Sequence, residues 1–217
     1  MLVSSRMPQR RRRSPAEAAA AAAISGLLLV ATGACSTDPS PEQPMKEPTV
    51  PTAEPTPLAD YDTSEVAVVR AAFCDRVSDD AIAAAVSDVP SEDQTWRPGG
   101  RLPGSKDISN EFGCAWTAGQ VSARAWVFAP PITPERAVDL ASEVVDGKCQ
   151  RVRNAPDLGA PSVAQQCAGE AGKTGIYGLV GDAWVSCELS GLTGSAVEDV
   201  ELVGQWCVAV LEALRTA

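Results

Sequence analysis

The sequence predicts an α+β domain: a small antiparallel sheet with helices packed on one face, stapled by disulfides. Three observations lead there. Two pairs of strand-like segments are each joined by a short glycine-containing turn, the connection that antiparallel neighbours use. Helical stretches with capping residues stand before, between and after those pairs. Six cysteines are spread through the same region, none of them spaced as C-x-x-C.

The 217 residues divide into three parts. Residues 1–34 read as a secretory signal peptide. Met1 to Arg13 is basic, Ala18 to Val30 is apolar, and the small residues Thr32, Gly33 and Ala34 come directly before Cys35. The apolar run is shorter than the ~20 residues a spanning helix needs. Residues 35–62 read as a tether, because prolines recur from Pro39 to Pro57 among Ser, Thr and Glu with almost no large apolar side chain. Such a stretch cannot bury enough surface to offset its ordering entropy, and its proline content favours an extended, semi-rigid spacer. Residues 63–217 read as a single globular domain, large enough to bury one real core.

Within that domain, Glu65 to Phe73 is amphipathic, and Ser78 is an N-cap for a helix over 79–86 with an acidic first turn. Residues 90–111, rich in Pro, Gly, Ser and Asp, read as a long loop carrying Trp96. Residues 112–117 and 120–129 read as a hairpin, with alternation in the second segment. Thr133 and Pro134 open a helix that buries Ala137, Leu140, Ala141 and Val144 and ends by Gly147. Residues 150–171 read as loop. Residues 175–180 and 183–189 form a second hairpin turning at Gly181 and Asp182. A long helix over 196–215 closes the chain, with Val200, Val203, Cys207, Val210, Leu211 and Leu214 on one stripe.

Composition excludes several chemistries. The chain has no histidine, which removes Ser-His-Asp and Cys-His catalysis and most zinc sites. Its net charge is −10, and the leader takes five arginines and only one acid with it, so the remainder is more acidic still. An acidic domain is repelled by nucleic acid. No metal or other cofactor is expected. The acids Glu198, Asp199 and Glu201 are explained by the dipole of the last helix. Gly172, Lys173 and Thr174 imitate the end of a P-loop without its first glycine.

The seven cysteines divide as one plus six. The segment Val30-Ala-Thr-Gly-Ala-Cys35 resembles a bacterial lipobox, departing from it at Thr32, where Leu or Val is preferred. That resemblance implies that Cys35 is acylated and becomes the first residue of the mature chain, with more than one acyl chain giving stable anchoring. The even remainder, Cys74, Cys114, Cys149, Cys167, Cys187 and Cys207, reads as disulfides. Six cysteines allow fifteen pairings, and the sequence does not choose among them. The pairing taken as an expectation is successive: 74 with 114, 149 with 167, and 187 with 207.

The cysteine contexts carry a resemblance of their own. Phe73-Cys-Asp-Arg-Val77, Phe112-Gly-Cys-Ala-Trp116, Ala183-Trp-Val-Ser-Cys187 and Trp206-Cys207 occur in the order seen in small actinobacterial lipoproteins of unknown function. The resemblance covers about residues 65–217 and departs at the extra pair Cys149 and Cys167. It implies an α+β fold at the outer face of the cell membrane and offers no activity to transfer.

The functional expectation is a lipid-anchored, extracytoplasmic binding or interaction module without catalytic activity, its partner an envelope protein, a lipid or a cell-wall polymer. The alternatives are an accessory subunit of an envelope complex, or a hydrolase using two acids that face each other across a cleft. Trp96 and Arg97, in the glycine- and proline-rich loop, are the expected partner surface.

Overall fold

The computed structural model describes residues 54–145, 147–169 and 172–215, so the leader, Cys35 and the tether as far as Ala53 lie outside the described residues. The elements run in the order α1 (Asp79–Val86), β1 (Glu92–Trp96), β2 (Glu111–Ala118), β3 (Val121–Phe128), α2 (Pro134–Glu143), β4 (Cys149–Arg151), β5 (Ser162–Cys167), β6 (Lys173–Val180), β7 (Ala183–Ser190) and α3 (Ala196–Leu214). The strands form one sheet in the order β1-β2-β3-β7-β6-β5-β4, every neighbouring pair antiparallel. The α+β class read from the sequence is therefore the fold.

Local chemistry sets the element ends. The Ser78 hydroxyl accepts from the Ala81 N–H at the start of α1, and Thr133 Oγ1 accepts from Arg136 N–H ahead of Pro134 in α2. At α3, Ser195 and Glu198 make a reciprocal capping box, so Glu198 serves the helix end. Gly119 and Gly181 turn the two hairpins with φ of +58° and +63°, a conformation that costs glycine nothing.

Alternation on the central strands builds two separate cores. Ala123, Ala125 and Val127 of β3 and Val185, Cys187 and Leu189 of β7 point toward α1 and α3. There they meet Val203, Val210, Leu211 and Leu214, each fully buried and each stabilising by roughly 1.5–3 kcal/mol. Trp206 of α3 stands edge-on to Trp116 of β2 at 5.5 Å and donates its indole N–H to the Arg124 carbonyl at 3.0 Å, which fixes the helix to β3. On the opposite face, Ala137, Leu140 and Ala141 of α2 cover Val163, Tyr177, Leu179 and Trp184. The helices thus occupy both faces, where the sequence reading placed them on one.

Three further differences have local causes. Residues 90–111 contain strand β1, whose first four residues are exposed, so it shows no apolar alternation. Residues 150–171 contain β4 and β5; the first is only three residues long and the second carries Gln165 and Gln166 in place of an apolar run. The domain also begins earlier than residue 63, because Leu58 is buried against α3 and the Tyr61 hydroxyl donates to Glu212.

Two of the three expected disulfides are present. Cys74–Cys114 ties the turn before α1 to β2, and Cys149–Cys167 joins directly paired residues of β4 and β5. For sequence separations of 40 and 18, the chain-entropy model gives roughly 3–4 kcal/mol each. The third pair is corrected: Cys187 and Cys207 are free thiols, both fully buried. They come from different layers, β7 and α3, and stand as unjoined neighbouring thiols in the core between them. Burial, and then the neighbouring Cys187, push the Cys207 thiol well above its ordinary range. A protonated, buried thiol is inert. Iodoacetamide at pH 8 should therefore leave both cysteines unlabelled in the native protein. Denaturation without reductant should then label both, as read by peptide mapping. Native labelling would contradict the burial, and absent labelling after denaturation would contradict the free thiols.

Candidate functional site on the open half of the sheet

Beyond α2, the second face of the sheet is built from two registered rows of side chains. One row runs through Gln94, Ala115, Arg124, Glu188, Gly175, Gln165 and Arg151, each paired with the next across neighbouring strands. The adjoining row runs through Glu92, Thr117, Ser122, Ser190, Lys173 and Cys167 and ends at Cys149. Successive side chains on a strand alternate between faces, so these residues share one surface.

Glu188 is the centre of the first row and is only 4% exposed. Burying a lone carboxylate is costly, and here the charge is met twice: Lys173 Nζ donates to Oε1 at 2.8 Å, and the Tyr177 hydroxyl donates to the same oxygen. Gln165 Nε2 donates in turn to the Tyr177 hydroxyl at 2.7 Å. Gly175 is required between them, since a Cβ there would come within 2.5 Å of that hydroxyl. Burial first, and then the Glu188 charge, push the Tyr177 phenol far above its ordinary range. Two atoms beside this network, Gln165 Oε1 and Ser186 Oγ, are buried without a partner among the described residues.

The second cluster lies on β1 to β3. The Trp96 ring lies over Gly113, where a Cβ would approach it to 2.2 Å, and its Nε1 donates to Glu111 Oε1 at 3.3 Å. The Arg124 guanidinium packs over two indoles, 5.4 Å from the Trp96 centroid and 5.6 Å from that of Trp126. Burial raises the Glu111 carboxyl above its usual range, against the Trp96 hydrogen bond and the Arg124 charge, which lower it. Beside this stack is a shallow cavity of about 280 Å³ lined by Glu92, Gln94, Ala115, Thr117, Ser122 and Arg124, with Pro103 and Gly104 on its rim.

The expected surface residues separate. Trp96 is only 6% exposed and belongs to the sheet, so it supports Arg124 from within instead of forming an outer contact; its neighbour Arg97 is exposed. The correction has a plain cause: glycine at 113 leaves an indole-sized gap that the ring fills. Sequence reasoning missed Arg124, Trp126, Tyr177, Lys173, Gln165 and Glu188. The available signal was the polar phase of β3 and β7, where Arg124 and Glu188 interrupt apolar strands. Lys173, set aside with the P-loop imitation, holds the buried carboxylate. Asp199 is buried, accepts from Gln166 Nε2 at 3.3 Å, and has its carboxyl raised by desolvation.

Three further cavities of note lie elsewhere among the described residues, the most apolar of them a groove of about 310 Å³ where Leu58 meets Val200 and Gly204 of α3. Each of the four is lined by one carboxylate: Glu92, Glu201, Asp199 or Asp157. Among the described residues, no cluster of three or more His, Cys, Asp or Glu could hold a metal ion, and no helix is long and apolar enough to cross a membrane. Compared with protein-family models, with characterised proteins and with solved structures, the chain matches none.

Two measurements check this geometry. Gly113→Ala should displace the Trp96 ring, cost about 1–3 kcal/mol in denaturant unfolding and red-shift tryptophan emission; unchanged stability and emission would contradict the stacking. The chain's two tyrosines, Tyr61 and Tyr177, should show no phenolate midpoint near 10 while folded. Tyr61 is pushed up to about 12, by burial first and then by Glu212, and Tyr177 lies higher. Their folded-state values exceed the unfolded ones, so their contribution to stability is complete below pH ~10; that of Tyr61 is lost as pH rises through about 12, and that of Tyr177 goes on falling above it. Ultraviolet titration of native and denatured protein reads both.

Proposed function

We propose that this protein is an exported, lipid-anchored lipoprotein of the cell envelope that acts as a binding module and presents the open half of its sheet. The observation carrying the reading is the coincidence of a signal-like leader that stops directly before Cys35 with an extracytoplasmic style of stabilisation, two disulfides in the folded domain. Membership of the actinobacterial lipoprotein family that the cysteine contexts resemble is part of the same proposal. Binding is preferred to hydrolysis because each of the four cavities above is lined by a single carboxylate, whereas paired-acid hydrolysis needs two. Glu188 and Glu111 are engaged by donors of their own, Lys173 with Tyr177 and Trp96 respectively.

The test is the mass of protein extracted from its native membrane. The expected species starts at an acylated Cys35 and lacks four hydrogens for two disulfides. Cys35→Ser should move the protein out of the membrane fraction. A chain that retains residues 1–34, or one that begins at an unmodified Cys35, overturns the anchor.

A further inference from the structure

We propose that the depression on β1–β3 is a subsite for a neutral, hydroxyl-rich ligand about the size of one or two sugar rings. This deepens the reading of the open face as a binding surface and rests on it. The shape comes from side-chain size in register. Ala115, Thr117 and Ser122 are short and form the floor, while the longer Glu92, Gln94 and Arg124 rise around it. The resulting volume of about 280 Å³ is just under the roughly 300 Å³ at which ligand pockets begin, which suits a small ligand or one part of a longer one.

The chemistry of that lining selects the ligand. Thr117 and Ser122 hydroxyls each donate and accept, Gln94 does both through separate atoms, Glu92 accepts and Arg124 donates. A ring of hydroxyls needs this mixture, because every hydroxyl is donor and acceptor at once. An anionic ligand would meet Glu92 in the same cavity and the negative charge of the whole domain; a cationic one would meet Arg124. An acyl chain would leave the polar lining unpaired. Arg124 is also ordered in advance, stacked on Trp96 and Trp126 and within salt-bridge distance of no carboxylate among the described residues. An ordered donor loses less entropy on binding.

The test titrates the mature protein in detergent with glucose, cellotetraose, maltotetraose and chitotetraose, following tryptophan emission and ligand-observed NMR. Saturable binding of at least one neutral tetrasaccharide is expected below about 10 mM. Ser122→Tyr, which fills the floor, should weaken it by at least roughly tenfold, and Gln94→Ala at the exposed edge by roughly threefold, with circular dichroism reporting an intact fold. Glucose binding as well as the tetrasaccharide assigns a free sugar; tetrasaccharide binding roughly tenfold tighter assigns a polymer chain. Either supports the subsite. No saturation by any neutral sugar, preference for a uronic-acid oligomer, or wild-type affinity in both variants overturns it. If the sugars fail while Cys35 is acylated and membrane-bound, the subsite falls and the exported module stands.

Discussion

The sheet has seven strands and two faces, and among the described residues three α-helices cover them. Seven strands at about 4.8 Å spacing span roughly 29 Å. α3, with nineteen residues, runs about 28 Å and, together with α1, closes one face. α2, with ten residues, covers only the rows of the other face that run through Tyr177 and Trp184, and leaves those through Glu188 and Lys173 uncovered. The uncovered half must satisfy itself through its own side chains. The ordered polar rows, the stacked arginine and the depression beside it all follow from that shortfall of helix.

Self-satisfaction on the uncovered half is done in two ways. On β5 to β7 the means is charge pairing: Lys173 and Tyr177 both donate to one buried oxygen of Glu188, with Gln165 donating to Tyr177 behind it. Removing one partner would strand a buried carboxylate, which costs far more than the pair contributes. On β1 to β3 the means is stacking: the guanidinium of Arg124 is held by ring faces, each such contact contributing about 0.5–2 kcal/mol. Pairing consumes the hydrogen-bonding capacity of the groups involved, whereas stacking leaves the guanidinium N–H groups able to donate. The difference makes the β1–β3 half the more suitable for a ligand.

The sequence was informative where local chemistry decides the structure. N-caps at Ser78 and Thr133, hairpin glycines and the apolar stripe of α3 were legible because each depends on residues a few positions apart. β1 and β5 were not legible, since their membership of the sheet depends on partners far along the chain and on a half-open face that asks for no apolar alternation. The site was hidden for the same reason. Arg124 and Glu188 lie 64 positions apart and meet only through the β3–β7 register. Trp96 misled because its burial depends on Gly113, a glycine with no sequence pattern to mark it.

The two cross-links stand toward opposite ends of the sheet. β4 is an edge strand of three residues, too few for its backbone pairing with β5 to be secure alone, and Cys149–Cys167 joins it at a directly paired position. The same bond terminates the row that contains Lys173, so it limits fraying toward the residue that neutralises Glu188. At the other edge, β1 presents the charged residues Glu92 and Asp93, which discourage pairing with a further strand. Cys74–Cys114 lies behind that edge, beneath Ala115, and fastens β2 to the turn before α1. A half-face without the cover of a helix depends on its backbone frame for order, and the two disulfides fasten that frame on β2 at one side and at the β4–β5 edge on the other.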